Sequence, residues 1–396
     1  MSSNKPFAGV TVLDFSRVLA GPFCTAMLAD LGAEIIKIEP PIGDDQRAMG
    51  AFKNGISVSF ELINRNKRSV RLDLKSEEGL AIALELAARA DVVVENFRPG
   101  VTRKLGIDYA ALRAIREDLI YCSISGFGQE GPLAHAPSYD VIAQALSGLM
   151  SITGAPDGEP MLVGDSVGDT VSGLFAAFAI ASALYRRATT GEGAHVDVAM
   201  FDSLFALLPT ALAQLQVSTE VPGRHGNQHP LSAPFGAYAA ADGNIIIAIA
   251  NNALFGRFAA TIGKPDLPND PRFASDQLRR INREALRGEI EAWSGKLAGA
   301  EAVAILSGAG IPASVIANVA EAAGSPHAEH RGLLTAVPHD VIGEVRLPEQ
   351  PVQFAGLPRG DVRVAPKLGE HGAEILRELL GKDDREIARL QSAGVI

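Results

Sequence analysis

Only two cysteines, Cys24 and Cys122, occur in 396 residues. That excludes a disulfide framework and a multi-cysteine metal site, and it fits a reducing, cytoplasmic setting. There is no surplus of positive charge either. The formal net charge of −10 argues against a nucleic-acid partner, because few cations are spare to neutralise phosphates. A local basic pocket remains allowed. No unbroken apolar run approaches the ~18 residues of a membrane span, and Met1 to Pro6 carries no apolar signal region. A soluble protein with no membrane partner is expected. There is no internal repeat, and no G-x-G-x-x-G follows the first strand-like segment, so a nicotinamide or flavin site is unsupported.

What is present is a long alternation of strand and helix signals. Val10 to Phe15 reads as a strand, Phe23 to Leu31 as a helix closed by Gly32, and Ala33 to Glu39 as a second strand stopped by Pro40-Pro41. Strand Ser69 to Leu74, a helix capped by Ser76, the apolar strand Asp91 to Glu95 and strand Leu119 to Ser125 continue the pattern. This predicts an α/β fold with a right-handed parallel sheet. Gly191 to Met200 reads as turn plus strand and Phe201 to Leu215 as one long apolar helix. The composition changes at Val221–Pro230, and a hairpin turning at Asp242-Gly243 opens a second, α+β domain. Its helices include one over Asp276 to Lys296. The tail predicts one strand region, Glu344 to Phe354, and two helices. The expected division is 1–200 and 335–396 for the large domain, 201–224 for a linker and 225–330 for the small domain.

Asp165 and Asp169, on Gly-flanked sequence, stand at the mouth of the apolar run Leu174 to Leu184. One reading makes one of them an N-cap. The other makes it a carboxylate nucleophile toward an activated acyl group, with backbone N–H groups near Gly168 stabilising the oxyanion. Eight cations, Arg65, Lys67, Arg68, Arg71, Lys75, Arg98, Arg103 and Lys104, gather in an acidic chain. They form either a solvated face or a phosphate pocket, since Arg98 and Lys104 fall just past a strand's carboxyl end. His225 and His229 are four apart, but the Gly and Pro around them argue against a helix and hence against a metal site.

Six motifs then coincide in order: Leu13–Pro22, Leu31–Glu39, Asn66–Ser69, Val94–Gly100, Gly126–Pro132 and Gly168-Asp169. Together they resemble the class III CoA-transferases, the family of formyl-CoA transferase and the carnitine CoA-transferases. The resemblance implies a Rossmann-like large domain, a smaller α+β domain, and a homodimer whose two chains interlock as rings. It implies no permanently bound cofactor and coenzyme A or its thioester as substrate. By resemblance the catalytic aspartate is Asp169, ionised at neutral pH, and the CoA contacts are Arg17, Leu72, Lys75, Asn96, Phe97, Arg98 and Lys104.

The same fold is similar to α-methylacyl-CoA racemase, which carries a second acid/base His where this chain has Tyr139. An ordinary tyrosine, with a pKa of ~10, is a poor base at neutral pH, so Tyr139 favours transfer. The remaining alternative is a CoA-binding protein without catalysis. Formyl-CoA transferases resemble each other in a glycine run in the small domain, and Asn227 to Phe235 stands in its place here. That points away from formate and oxalate and toward succinyl-CoA with a dicarboxylic acid. Tyr139, Arg47, Arg224, His225 and His229 are the expected substrate contacts, the four basic ones toward a distal carboxylate.

Overall fold

The computed structural model describes residues 5–396. They fall into two compact units. The large unit holds the residues through Leu149, Leu162–Leu212 and Pro326–Ile396. Its centre is a six-stranded sheet: β1 (Thr11–Asp14), β2 (Glu34–Glu39), β3 (Arg68–Arg71), β4 (Val92–Glu95), β5 (Ile120–Ser125) and β6 (Ala194–Ala199). All pairs are parallel, in the order β3-β2-β1-β4-β5-β6.

The central strands place apolar residues on both faces because helices cover both. Six helices matter below: α1 (Ala20–Asp30), α2 (Glu77–Ala87), α3 (Asp140–Leu146), α4 (Val167–Thr190), α5 (Gly372–Leu380) and α6 (Asp384–Ser392). Leu13, Ile36, Val70, Val93 and Tyr121 pack with Leu86 of α2, Leu376 of α5 and Leu390 of α6. Their strand neighbours Val12, Ile35, Val92 and Cys122 point the other way, onto Leu28 of α1 and Ala176 and Ile180 of α4. Each buried Val or Ile side chain stabilises the fold by ~1.5–3 kcal/mol.

The small unit holds Met150–Met161 and Ala213–Ser325. An antiparallel sheet, β7 (Phe235–Ala240), β8 (Gly243–Ala248) and β9 (Ala313–Val315), runs in the order β9-β8-β7. Helices cover one core built on Ile245, Ile247, Phe255, Phe258 and Ile290.

The structure departs from the sequence reading in several places. Pro209 lacks an N–H, so the helix expected over Phe201 to Leu215 breaks into Met200–Phe205 and Pro209–Val217. Asn282 ends one helix and begins the next, with its amide donating to the Leu278 and Arg272 carbonyls, so Asp276 to Lys296 is also two helices. The tail carries a hairpin, β10 (Leu334–His339) and β11 (Gly343–Pro348), whose first strand contains Pro338 and so reads poorly as a strand. Met150–Met161 joins the small unit, 201–212 the large one and 213–224 the small one, where the sequence reading had a separate linker. Finally, α4 begins seven residues before Leu174, and its most apolar 18-residue window has a mean hydropathy of 1.6. It is long and apolar enough to cross a membrane, yet its Ala176, Ile180 and Ala183 stripe lies in the sheet core.

Candidate active site at the carboxyl edge of the sheet

The chain leaves β1 toward β2 and β3 and later leaves β4 toward β5 and β6, so the order reverses between the neighbours β1 and β4. Open α/β sheets take ligands at that crevice, outside the carboxyl ends of the strands. The segments following β1 and β4 lock together there. Arg17 N–H donates to Asn96 Oδ1 (2.8 Å), and Asn96 Nδ2 donates back to the Arg17 carbonyl (2.7 Å). The Arg17 guanidinium lies 5.3 Å from the centre of the Phe97 ring and pairs with Asp45 at 3.2 Å. Glu95, buried at the end of β4, accepts the Phe97 N–H (2.8 Å). Burial, only partly offset by this bond and one from Ser123, pushes its pKa up to about 7. Arg17, Asn96 and Phe97 are thus brought together.

Four of the eight clustered cations are internal struts instead. Arg65 binds Asp30 (2.5 Å), Lys67 binds Asp14 (3.0 Å), Arg68 reaches Glu34, Glu374 and Glu378, and Arg71 donates to the Ile396 carbonyl (2.8 Å). Arg103 reaches Asp108 at 3.4 Å. Lys75, Arg98 and Lys104 are exposed. Leu72 is fully buried, so its side chain belongs to the core and cannot meet a ligand.

A buried charge network stands under the β1 loop. Lys67 donates to Asp14, Asn64 and the Pro22 carbonyl, while Lys37 donates to the Ser16 carbonyl and pairs with Asp44 at 2.8 Å. Burial disfavours the Asp14 charge, but Lys67, Lys37 and the Ser16 and Thr25 hydroxyls outweigh it and hold the pKa down to about 2. Asp44 Oδ1 accepts the Val18 N–H (3.0 Å). Val18 needs that restraint. Its φ of 65° is a left-handed conformation costing a branched residue ~1–2 kcal/mol.

The helix α4 delivers Asp169 to the same edge. It runs antiparallel to β6, which follows it, so it begins at the carboxyl ends of the strands. Gly173 fixes its approach: a Cβ there would lie 2.6 Å from the carbonyl of Ala20, the first residue of α1. Asp169, one turn earlier, sits in the first turn of α4. Neither Asp165 nor Asp169 is the N-cap; that position is Ser166, which makes no side-chain cap bond. The capping carboxylate comes from Asp140, at the start of α3. Its Oδ1 accepts the Gly168 N–H (2.6 Å), and its Oδ2 accepts from Gln144 Nε2 (2.7 Å). Gln144 Oε1 in turn accepts the Val163 N–H (3.0 Å). Gly168 is glycine because a Cβ would lie 2.8 Å from Asp140 Oδ1. Its N–H is therefore unavailable to an oxyanion.

Asp169 itself is half-buried, and its carboxylate has no hydrogen-bond or ion-pair partner among the described residues. Burial, with the Asp140 charge added, pushes its pKa up to about 7. This rise opposes the expectation of an ionised carboxylate at neutral pH, because burial and the Asp140 charge both favour the protonated form. No sequence signal marked Asp140, because its partner lies 28 residues away.

The expected substrate contacts are dispersed. Tyr139, just before Asp140, is exposed. Arg47 is committed inside the large unit, bidentate on Glu39 (2.7 and 2.7 Å), donating to the Pro366 carbonyl and lying on the Phe60 ring. It has no fork left for a substrate. In the small unit Arg224 donates to the Ala155 and Gly158 carbonyls (3.1 and 2.6 Å), which makes it a brace for the 150–161 segment. His225 and His229 share a loop of the same unit.

A carboxylate without partners, at the crevice of a parallel sheet with exposed cations on its rim, is a nucleophile's environment. A model of CoA-transferase family III matches residues 7–372. The chain belongs to that family. It is 45% identical to acetyl-CoA:oxalate CoA-transferase of Acetobacter aceti, over 94% of this chain and 95% of that one. Succinyl-CoA:glutarate CoA-transferase of Mus musculus is 37% identical, over 100% of this chain and 91% of that one. Among solved structures, a CaiB/BaiF family protein from Brucella suis superposes with a TM-score of 0.84 at 38% identity, covering 95% of this chain and 100% of that one. The protein is a class III CoA-transferase, an enzyme acting on CoA thioesters and carboxylic acids. One of these relatives is named for oxalate, the acceptor that the missing glycine run had set aside.

Proposed function

We propose that this transferase moves CoA from succinyl-CoA to a small dicarboxylic acid through an aspartyl-CoA thioester on Asp169. The observation carrying this is the Asp169 carboxylate, unpartnered in the first turn of α4 at the carboxyl edge. A carboxylate oxygen of Asp169 attacks the donor's thioester carbonyl and expels CoA thiolate, leaving a mixed anhydride. The thiolate attacks Cγ of Asp169 and releases the donor acid, which leaves with one Asp169 oxygen. The acceptor carboxylate attacks the aspartyl thioester to form a second anhydride and thiolate. The thiolate then attacks the acceptor's carbonyl, giving the new thioester and restoring Asp169 with one oxygen from the acceptor. Each half-reaction breaks one thioester and forms one, with a mixed anhydride and free thiolate between them. The positive end of the α4 dipole favours the anionic intermediates.

Arg17, Asn96 and Phe97 are assigned to the CoA nucleotide, with Arg98, Lys75 and Lys104 as its phosphate partners. Leu72 contributes backbone only. The enzyme is assigned to the cytoplasm, consistent with two unpaired buried cysteines, and to a homodimer. The dimer is supported by α4, which exposes Leu174, Phe178 and Tyr185 on one side, Phe178 to 70%. Light scattering at micromolar concentration reads the assembly, and a monomer there would remove it.

The chemical proposal is tested with an acceptor labelled with ¹⁸O in its carboxylates. Label must appear in the Asp169 side chain after one turnover and in the donor acid released on the next. Transfer that leaves both unlabelled overturns the route.

A further inference from the structure

We infer that Glu95 is a positioning residue for the acyl-CoA donor: its carboxylate fixes the Asn96–Phe97 turn against the Arg17 loop. This rests on the assignment of Arg17, Asn96 and Phe97 to the CoA nucleotide and names the group that holds them in place.

Glu95 ends β4 after Val92, Val93 and Val94, and like them it is buried. A carboxylate withdrawn from water among apolar strand residues is costly unless donors meet it. Two do. The Phe97 N–H donates at 2.8 Å, so the side chain ties the end of its own strand to the turn that follows. The Ser123 hydroxyl, directly opposite on β5, is the second donor. A hydroxyl has one proton and can still accept. With that proton given to Glu95, the Ser123 oxygen accepts from His195 Nε2, 3.0 Å away on β6. The His195 ring is held in turn by stacking on Tyr109 (4.8 Å between centres) and by a perpendicular contact with Tyr121 (5.4 Å). Glu95, Ser123 and His195 form one hydrogen-bonded line, from the buried end of β4 to an exposed side chain on the last strand of the sheet.

The line bears on the crevice through Phe97. With its N–H anchored, the Asn96 amide meets the Arg17 backbone at both the N–H and the carbonyl, and the Phe97 ring lies under the Arg17 guanidinium. The anchor depends on charge. An ionised carboxylate accepts from Phe97 and Ser123 together, with charge-assisted bonds about twice as strong as neutral ones. Once protonated, Glu95 becomes a donor itself and the Ser123 proton loses its acceptor. The ionisable groups around Glu95 are Tyr121 and Cys122 on β5, His195 and Asp197 on β6, and Arg17 beyond the Phe97 ring. Burial, with the Asp197 charge added, outweighs the two donors, so the change between the two forms falls at about pH 7.

The experiment measures calorimetric binding of free CoA, which cannot form a thioester with Asp169 in the resting enzyme, at pH 6, 7 and 8. It uses the full-length wild type, E95Q, S123A and F97L, with steady-state kinetics alongside. At pH 8 E95Q is expected to bind CoA about tenfold more weakly than the wild type, from the weakening of one hydrogen bond to a charged group. The ratio shrinks toward one at pH 6, where Glu95 of the wild type is itself mostly protonated; titration of the CoA phosphates cancels in that ratio. The KM for the donor follows the same course, while kcat and the acceptor KM are unchanged. S123A, which loses a donor to the carboxylate, shifts the pH course of CoA binding upward. A ratio near one at pH 8 overturns the inference. So does a ratio that is the same at pH 6 and pH 8, which would make Glu95 a residue of the fold only. F97L separates the two readings. Weaker CoA binding in F97L with none in E95Q removes Glu95 alone, and unchanged binding in both removes CoA from this turn.

Discussion

Asp14 and Asp169 are aspartates of the same unit, withdrawn from water at the same edge of one sheet, and their surroundings push them in opposite directions. Asp14 is fully buried, but two lysines and two hydroxyls surround it, and its pKa falls to about 2. Asp169 is less enclosed, has no donor, and faces the charge of Asp140, so its pKa rises to about 7. Burial raises both; partners decide the sign. The saturated carboxylate is a strut tying Ser16 to Thr25 of α1 and Lys67, and the unsaturated one retains the reactivity that a nucleophile needs.

The sharpest way to break the contrast is to exchange each carboxylate for its amide. D169N removes the proposed nucleophile while keeping its shape, so transfer should fall on the order of 10⁴-fold. Its melting temperature should stay level or rise, because a like-charge contact is relieved. A transferase retaining a tenth of its rate would end the assignment. D14N does the reverse. It leaves the buried Lys67 without its ion-pair partner, while Lys37 keeps Asp44, and urea titration should show a loss of ~3–5 kcal/mol. The wild-type contribution of Asp14 has a definite pH window. Its folded pKa is depressed, so its stabilisation is present above the unfolded value of ~3.9 and disappears as pH falls through about 2. G173A tests how Asp169 is delivered. The new methyl must push the Ala20 carbonyl away, costing ~1–3 kcal/mol and lowering transfer, visible in parallel melts and assays. The smallest effect belongs to D140N. The amide oxygen still accepts the Gly168 N–H, but the charge facing Asp169 is gone. The midpoint of the rate–pH profile should move down by about one unit or less, since burial is the larger cause of the shift. An unmoved midpoint would remove Asp140 from the account.

Much of the large unit was legible in the sequence because local periodicity and long-range packing agree there. Val92, Val93 and Val94 are apolar at successive positions, and that pattern fits a strand covered on both faces; Val92 to Glu95 is buried throughout. Asp169 was legible from Gly168-Asp169 ahead of an apolar run, together with the family resemblance. What escaped are pairings with no sequence period. Asp140 reaches Gly168 across 28 residues. Arg47 has the composition of a substrate ligand but is spent on Glu39 and Pro366. Lys67 and Arg68, read with the phosphate cluster, turned inward to acids on β1, β2 and the C-terminal helix α5. Charge type alone does not reveal whether an arginine already has a partner: Arg287 is paired with Glu291 and Glu284, and Arg283, four residues earlier, forms no ion pair among the described residues.

The central claim is that Asp169 is the covalent carrier. The most direct measurement incubates the enzyme with succinyl-CoA and no acceptor, quenches it in acid and maps peptide masses between pH 6 and 8. The account predicts a CoA thioester on the peptide bearing Asp169, forming faster as pH rises through about 7. Efficient CoA transfer with no adduct on that peptide, or an adduct at another residue that persists in D169N, would contradict it.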